Sequence, residues 1–443
     1  MRLESPKNSN YAACVVALSR FVDLENCANV KTALVFGNSI IVGKDAKEGD
    51  IGLFFPVETA LSPTFLGTNN LYRKAEYGNA DPDRKGYFEQ HGRIKAVKFR
   101  GHKSEGFWIP ISSLAFTGIP LEEFQVGMEF DRVGDIEICC KYVSKRNVGT
   151  PRSAKQGRQP RAEDRIVPDQ FRFHIDTENL RRNIHKITPD QWISISDKVH
   201  GTSAIFSHVR VKRDLNWFER ALRRLGVKIQ NTDYGLAWSS RRVVKGVDDV
   251  AKENASHFYG SDIWGTVFRE VREIIPKGYT IYGEIIGYTP EGACIQSKYH
   301  YGCQPGSHRL LVYRVTDTNY DGRVLELSWH QMKEFCRKHG LKMVEEFFFG
   351  PVYNFCAGLS GESLEEWQSR FLSRLEEKFV TGRMCHHHNG ELPAEGVVVR
   401  VERLDECESF KCKNFDFLEL ESKMLDTGAV DIEEQQSGEE LAA

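Results

Sequence analysis

The chain has 443 residues, with 60 Lys and Arg against 62 Asp and Glu and a formal net charge of -2. At roughly 150 residues per domain this length implies two or three domains, and 40% hydrophobic with 28% charged residues excludes a wholly disordered chain. The balanced charge excludes a general polycation, so any nucleic-acid surface must come from segregated cations. Eleven cysteines, an odd number without a Cys-x-x-Cys pair, read as free thiols in a reducing compartment, the cytoplasm or the nucleus, and exclude a disulfide frame or a zinc finger. The N-terminal residues lack the apolar core of a signal peptide, and no run reaches the ~18–20 apolar residues of a membrane span.

Residues 1–144 read as short β-branched and aromatic strands at 12–24, 32–37, 39–43, 51–57, 93–101, 105–111 and 136–143, punctuated by Gly, Asn, Asp and Pro. This spacing predicts a small barrel or sandwich, and an OB-like barrel is one candidate. Within it, Lys95, Lys98 and Arg100 alternate with apolar residues. They read either as a polynucleotide-contacting face or as the charged outside of a barrel strand. Residues 145–170 have no hydrophobic period. There Lys145, Arg146, Arg152, Lys155, Arg158, Arg161 and Arg165 outnumber Glu163 and Asp164. The segment reads as a basic linker or as a phosphate-contacting strap. Residues 171–424 switch to a mixed α/β pattern. Strands are predicted at 192–198, 203–211, 280–287, 308–315 and 395–401, and amphipathic helices at 216–226, 262–275, 328–340 and 364–379. The acidic stretch 425–443 has little to bury and reads as a disordered tail.

Four short motifs carry chemistry. Lys198-Val199-His200-Gly201 ends an alternating strand, and its glycine permits close backbone approach to a ligand. A lysine becomes a nucleophile when neighbouring cations and partial burial favour the free amine. Tyr282-Gly283-Glu284 places a carboxylate among apolar neighbours, where it needs a hydroxyl, metal or cation. Glu395 opens the apolar strand Gly396-Val397-Val398-Val399-Arg400, at the mouth of which an acid can serve a divalent ion. Alternation turns Lys411 and Lys413 to one side, and two adjacent cations repel unless an anion such as phosphate lies between them. Each motif alone has a bland reading as a strand end, a turn or a solvated face. Cys385-His386-His387-His388 lacks a second ligand cluster and reads as a loop without a role.

In this order the motifs resemble the covalent nucleotidyltransferase superfamily of DNA ligases, RNA ligases and mRNA capping enzymes. His200, where DNA ligases and capping enzymes usually have Asp, looks like the RNA ligase branch. So do Phe173–Thr177, Asn183, Pro189 and Ser239-Ser240-Arg241. The stretches 92–101 and 104–106 look like the N-terminal OB domain of one RNA ligase group, which includes Deinococcus and Naegleria enzymes. The resemblance implies an α+β protein: an N-terminal OB-like β-barrel at 1–144, then a nucleotidyltransferase domain with antiparallel sheets at 171–424.

It also implies the roles. Lys198 would be the nucleophile that takes AMP from ATP. Asp197 and its backbone would lie at the adenine edge, Gly201 would approach the nucleotide, and Arg241 would touch the ribose. Glu284 would bind the ribose or a metal-bound water, and Tyr313 would stack on adenine. Glu395 would hold a metal-bound water, and Lys411 and Lys413 would bind the phosphates. Arg314 departs from the family pattern, where Asp is frequent, and leaves Tyr313 as the least secure match. ATP and Mg²⁺ or Mn²⁺, held largely through waters, are the implied cofactors. The implied partner is RNA, or a nicked duplex of RNA and DNA, with no membrane and no obligate protein partner. The other readings are a DNA ligase, a GTP-using capping enzyme, or an inactive OB-containing RNA-binding protein. Deleting 1–165 is expected to spare AMP uptake and weaken strand joining.

Overall fold

Period-2 alternation with buried faces builds two large sheets in the part of the chain after residue 171. The computed structural model describes residues 4–143, 162–248, 250–251, 262–359, 361–388, 391–404 and 407–427. Most of the basic segment, 144–161, and the acidic stretch 428–443 lie outside the described residues. A five-stranded sheet runs in the order Glu178–Asn179, Glu408–Lys413, Gly396–Val401, Trp192–Lys198, Glu346–Pro351. An eight-stranded sheet has Thr202–Lys212 and Tyr279–Gly287 side by side, flanked by Thr232–Ser240 and His308–Thr318. Pairing in both is mainly antiparallel, and Glu178–Asn179 on Glu408–Lys413 is a parallel exception.

Each sheet is covered by helices whose apolar residues recur at helical spacing. Leu364–Phe379 buries Trp367, Phe371 and Leu375, an i, i+4, i+8 stripe, in the core of the five-stranded sheet. Ile263–Val271 and Trp329–His339 cover the eight-stranded sheet. The helix expected over 262–275 tightens into a 3₁₀ turn after Val271. Ser328 with Gln331 and Ser363 with Glu366 form reciprocal capping boxes, which satisfy free N–H groups at both helix starts. Among the described residues no helix is long and apolar enough to cross a membrane.

The N-terminal strands divide differently from a single barrel. Glu129–Phe130, Ala13–Ala17, Ile51–Pro56 and Gly106–Pro110 form a four-stranded sheet. Phe21–Asp23, Val30–Val35 and Asn38–Gly43 form a three-stranded one, and the remaining strands pair in twos. Among the described residues the ladders do not close on themselves. The cause is visible in the cores: Val15, Leu53 and Phe55 pack into one cluster, while Cys14, Val16 and Phe54, on the opposite face of the same strands, pack into another. Two-sided burial of this kind builds layers rather than one barrel interior.

A helix at Phe415–Asp426, capped by Asn414, follows Lys413 directly and lies against this N-terminal region. Arg93 donates to the Ser422 carbonyl at 2.7 Å, Lys95 pairs with Asp426 at 2.9 Å, and Lys98 pairs with Asp416 and Glu419 at 3.0 and 3.2 Å. The Lys95–Lys98 cations therefore meet an acidic helix of their own chain. That differs from both readings of the alternation, since period 2 reports which side a residue faces and not what waits there. On the other side, Arg181 donates to Asn38 at 2.6 Å, Glu105 at 2.9 Å and Glu376 at 2.8 Å, tying the two halves together from a partly buried position.

Candidate active site

The chain leaves the five-stranded sheet at Lys198 and enters the eight-stranded sheet at Thr202. The Val199–Gly201 crossing sets Lys198 at the junction of the two sheets. There a cleft of about 560 Å³ opens. Lys198 pairs with Gly396 and Ser196 with Val398 in an unbroken register, and Lys413 faces Gly396 from the next strand. The sheet thereby brings Lys198, Glu395, Lys411 and Lys413, separated by more than 200 residues of sequence, to one wall of the cleft.

Lys198 Nζ donates to Glu395 Oε1 at 2.6 Å, and Lys413 Nζ stands 3.6 Å from the same oxygen and 3.2 Å from Glu421. Burial alone would raise the Glu395 pKa. The nearby charges of Lys198, Lys413 and His200 outweigh it and hold the carboxylate below its ordinary range. Its second oxygen, Oε2, is buried without a hydrogen-bond partner among the described residues. Lys411 has the reverse problem. Burial, then the adjacent charges of Lys413, Lys198 and Arg241, push its pKa from 10.5 down to about 7. An arriving anion would relieve that strain.

Of the other expected site residues, Asp197, Arg241, Glu284 and Tyr313 reach the cleft. Arg241 pairs with Asp176 at 2.5 Å, and Arg242 reaches the same carboxylate at 3.3 Å. Burial opposes ionisation of Asp176, yet these two guanidinium groups keep it far below the ordinary carboxylate value. Glu284 accepts from the Gly201 N–H at 3.1 Å and the Ser203 hydroxyl at 3.3 Å. Tyr313 lies edge-on to His174, with ring centroids 5.5 Å apart. The ladder slips beside it, because Tyr282 opposes Arg314 while Gly283 opposes Val312. That bulge turns both Tyr313 and Arg314 to the cleft, which a regular strand would not do. Asp197 lines the cleft, but its carboxylate is taken by Arg383, which also donates to the Gly396 carbonyl at 2.7 Å. Gly201 does not line the cleft wall. It is buried against the neighbouring strand, where an added Cβ would lie 2.4 Å from the Ile285 carbonyl oxygen.

Gly201→Ala is therefore expected to push that strand and Glu284 apart, at about 1–3 kcal/mol of overpacking cost. A fall in melting temperature together with slower nucleotide uptake would bear this out. A normal melting curve would show that the turn has room.

Some partners of the site residues were not legible in the sequence. Asp176 lies in the Phe173–Thr177 motif, but its pairing with Arg241, like those of Arg383 with Asp197 and Glu421 with Lys413, leaves no spacing signal. At one end of the cleft Arg314, Glu326 and Arg400 form a buried ion cluster, with 2.9 Å between Arg314 and Glu326 and 3.5 Å between Arg400 and Glu326. Among the described residues no group of three or more His, Cys, Asp or Glu is gathered for a metal. The Cys385–His387 stretch lines a different cavity and joins no such group.

At the sheet junction Lys198 and Lys413 thus converge on a buried carboxylate, with Lys411 on the same wall of the cleft. The RNA ligase family model matches residues 192–413, half of the chain, and the chain belongs to the RNA ligase family. Its fold is similar to that of Naegleria gruberi RNA ligase, solved as a lysine-to-methionine mutant with AMP and Mn. The TM-score is 0.55 at 15% identity, over 92% of this chain and 98% of that one. The same ligase with pyrophosphate gives 0.55 at 15% identity over 93% and 98% of the two chains, and an apo mutant gives 0.56 at 14% over 93% and 98%. At these identities the likeness is one of fold. No curated protein matches the sequence.

Proposed function

We propose that the protein is an ATP-dependent RNA ligase that joins a 3′-hydroxyl to a 5′-phosphate through a lysine–AMP intermediate on Lys198. The observation that carries the reading is the convergence of Lys198 and Lys413 on Glu395, with Lys411 on the same wall of the cleft. In the first step the Lys198 amine gives up its proton and bonds to the α-phosphorus of ATP, and pyrophosphate leaves. The 5′-phosphate oxygen of RNA then bonds to that phosphorus, the P–N bond breaks, and the amine regains a proton. Finally the 3′-hydroxyl oxygen bonds to the RNA 5′-phosphorus, and AMP leaves. Lys411 and Lys413 neutralise charge on the phosphate oxygens as it is redistributed. Arg241, oriented by Asp176, reaches the ribose, and Tyr313 lies against the base.

A divalent ion fits the acids at hand. The unpartnered Glu395 Oε2 is the kind of acceptor that a metal-bound water satisfies, and Glu284 stands in the same cleft. When bound, Mg²⁺ or Mn²⁺ would supply further neutralisation of phosphate charge. Relatives of this fold were solved with ATP and Mn.

Within this reading residues 1–144 form an open OB-like accessory module, 145–170 a linker and 171–424 the catalytic unit. The free cysteines suit a cytoplasmic or nuclear setting. The substrate is RNA, alone or in a nicked duplex with DNA. The test is intact-mass analysis after incubation with ATP and Mg²⁺ or Mn²⁺. An adduct of about 329 Da, one AMP less water, is expected from covalent nucleophilic catalysis, followed by joined product when 5′-phosphorylated RNA is added. Labelling by GTP in preference to ATP would overturn the ATP assignment.

The shift on Lys411 makes a further prediction. Its pKa of about 7 leaves it mostly neutral at pH 8 in the free protein, and a bound phosphate should recharge it. ATP binding at pH 8 should therefore take up close to one proton. Calorimetry in two buffers of different ionisation heat measures this. The uptake should vanish in Lys411→Met and shrink below pH 6, where the amine is already protonated.

A further inference from the structure

The strands Thr202–Lys212 and Thr232–Ser240 pair to their ends, with Lys212 opposite Thr232. Antiparallel neighbours are commonly joined by about two to five residues. Here residues 213–231 intervene, so the sheet does not require the insertion. It carries the helix Trp217–Arg224, started by a reciprocal capping box of Asn216 with Glu219. No residue of the helix is fully buried. It rests on the hairpin through Glu219, which accepts from Arg213 at 2.6 and 3.1 Å, and through the half-buried Leu222.

The outward surface of this helix is sorted into two halves. Trp217, Ala221 and Leu225 recur at i, i+4 and i+8, with Phe218 beside them. Trp217 and Leu225 are each 80% exposed and Phe218 is 55% exposed. The Trp217 and Phe218 rings meet edge-on, with centroids 5.9 Å apart. Arg220, Arg223 and Arg224 take the other half, and Lys228 follows. None of these four cations has an ion pair among the described residues, and Arg220 donates to the Leu215 carbonyl at 2.7 Å. Residues 213–231 hold five cations against two acids. Of the acids, Glu219 is neutralised by Arg213, and Asp214 lies 3.9 Å from Arg165. Single exposed apolar residues are ordinary, whereas a contiguous exposed stripe marks a contact surface.

An aromatic and leucine half beside unpaired guanidinium groups complements a surface that is apolar below and anionic above. The headgroup boundary of an anionic bilayer has that layering. A polynucleotide would answer the cations and could stack on the rings, but it offers nothing to Leu225 and Ala221. The place of the insertion also suits a surface contact. The 11 residues of Thr202–Lys212 separate it from the Gly201 turn, about 35 Å at ~3.3 Å per residue. That is several Debye lengths of about 8 Å, so an anionic surface there leaves phosphate binding in the cleft undisturbed.

We infer that the 213–231 insertion attaches the protein peripherally to an anionic lipid surface. Trp217, Phe218 and Leu225 enter the headgroup boundary, and Arg220, Arg223, Arg224 and Lys228 meet the anionic headgroups. Such attachment needs no membrane-spanning helix, and it does not rest on the Lys198–AMP reading.

The test floats the full chain with vesicles of phosphatidylcholine alone and of phosphatidylcholine with phosphatidylserine. Partition should be about tenfold or more stronger onto the anionic vesicles and should fall as salt is raised. Two double variants, Trp217→Glu with Leu225→Glu and Arg223→Glu with Arg224→Glu, should each lose most of that partition. All four positions are exposed, so melting temperature and AMP uptake should stay at the parent's values. Absent or equal partition onto the two vesicle types would overturn the inference, as would unaltered partition in either double variant. Weakened RNA retention in the variants would assign the face to a polynucleotide instead. Self-association of the parent that the variants abolish would assign it to a second copy of the chain. A parent that floats but takes up no AMP loses the Lys198 reading alone.

Discussion

Lys198→Met should give a folded protein that never acquires AMP. The substitution keeps an unbranched stem of similar volume and removes the one nitrogen that bonds to phosphorus. Lys198→Arg should be equally inert, because a guanidinium stays protonated and offers no lone pair. Lys411→Met and Lys413→Met differ in kind. Each removes a charge from the phosphate site while leaving the nucleophile, so uptake should slow by about 10²–10³-fold, the usual cost of one preorganised donor, and still reach the same adduct. Intact-mass time courses separate the two classes. Lys198→Met has a second consequence. Burial drives the Glu395 pKa up, and Lys198 is the largest of the charges that hold it down. With that cation gone, the Glu395 pKa should rise. The lost ion pair contributes stability above the carboxylate's unfolded pKa and loses it as pH falls through the folded one. The variant should thus melt lower than the parent at pH 7, with the gap closing in acid. A slow but authentic adduct on Lys198→Met would move the nucleophile elsewhere.

The two-sheet framework of the catalytic half was legible because its strands and helices obey their periods. The strand at 192–198, the valine-rich strand after Glu395 and the Leu364–Phe379 helix each carry their burial pattern in the order of residues. The cleft was legible for a related reason. Alternation decides which side Lys411 and Lys413 face, and adjacent strands then share that side. Three things were not legible. The bulge at Tyr313 breaks the alternation at a point no local signal marks, so Arg314 joins the cleft unannounced. The Phe415–Asp426 helix begins directly after the Lys411–Lys413 strand with acidic residues between its apolar ones, and its cap Asn414 and its buried Phe415, Phe417, Ser422 and Leu425 become readable only once its place is known. The N-terminal strands are buried on both faces, so their composition did not distinguish layered sheets from a barrel. In each case the deciding interaction is with a residue distant in sequence.

Arg181→Met should be the most destabilising change outside the cleft. Arg181, only 11% exposed at its side chain, bridges Glu105 of the N-terminal region and Glu376 of the Leu364–Phe379 helix, and also holds Asn38. Removing one member of a buried ion cluster leaves the others uncompensated, at about 3–5 kcal/mol, which for a protein of this size lowers the melting temperature by about 3–5 °C. The effect should reach the site as well. Arg181 lies against the strand that carries Lys411 and Lys413, with Cys412 facing Glu376. The next helix brings Glu421 to Lys413 while Asp416, Glu419 and Asp426 clasp Lys95 and Lys98. Pairing Arg181→Met with Glu105→Gln removes an orphaned charge and should recover part of the loss. If the double variant melts as low as the two single losses added together, the buried charge is not the cause. Deleting residues 1–165 removes Glu105, Asn38, Lys95 and Lys98 at once, and so loosens the helix that follows Lys413. AMP uptake is then spared only if the five-stranded sheet holds Lys411 and Lys413 in place by itself. Measuring uptake below the lowered melting temperature of the truncated protein separates a displaced phosphate site from simple unfolding.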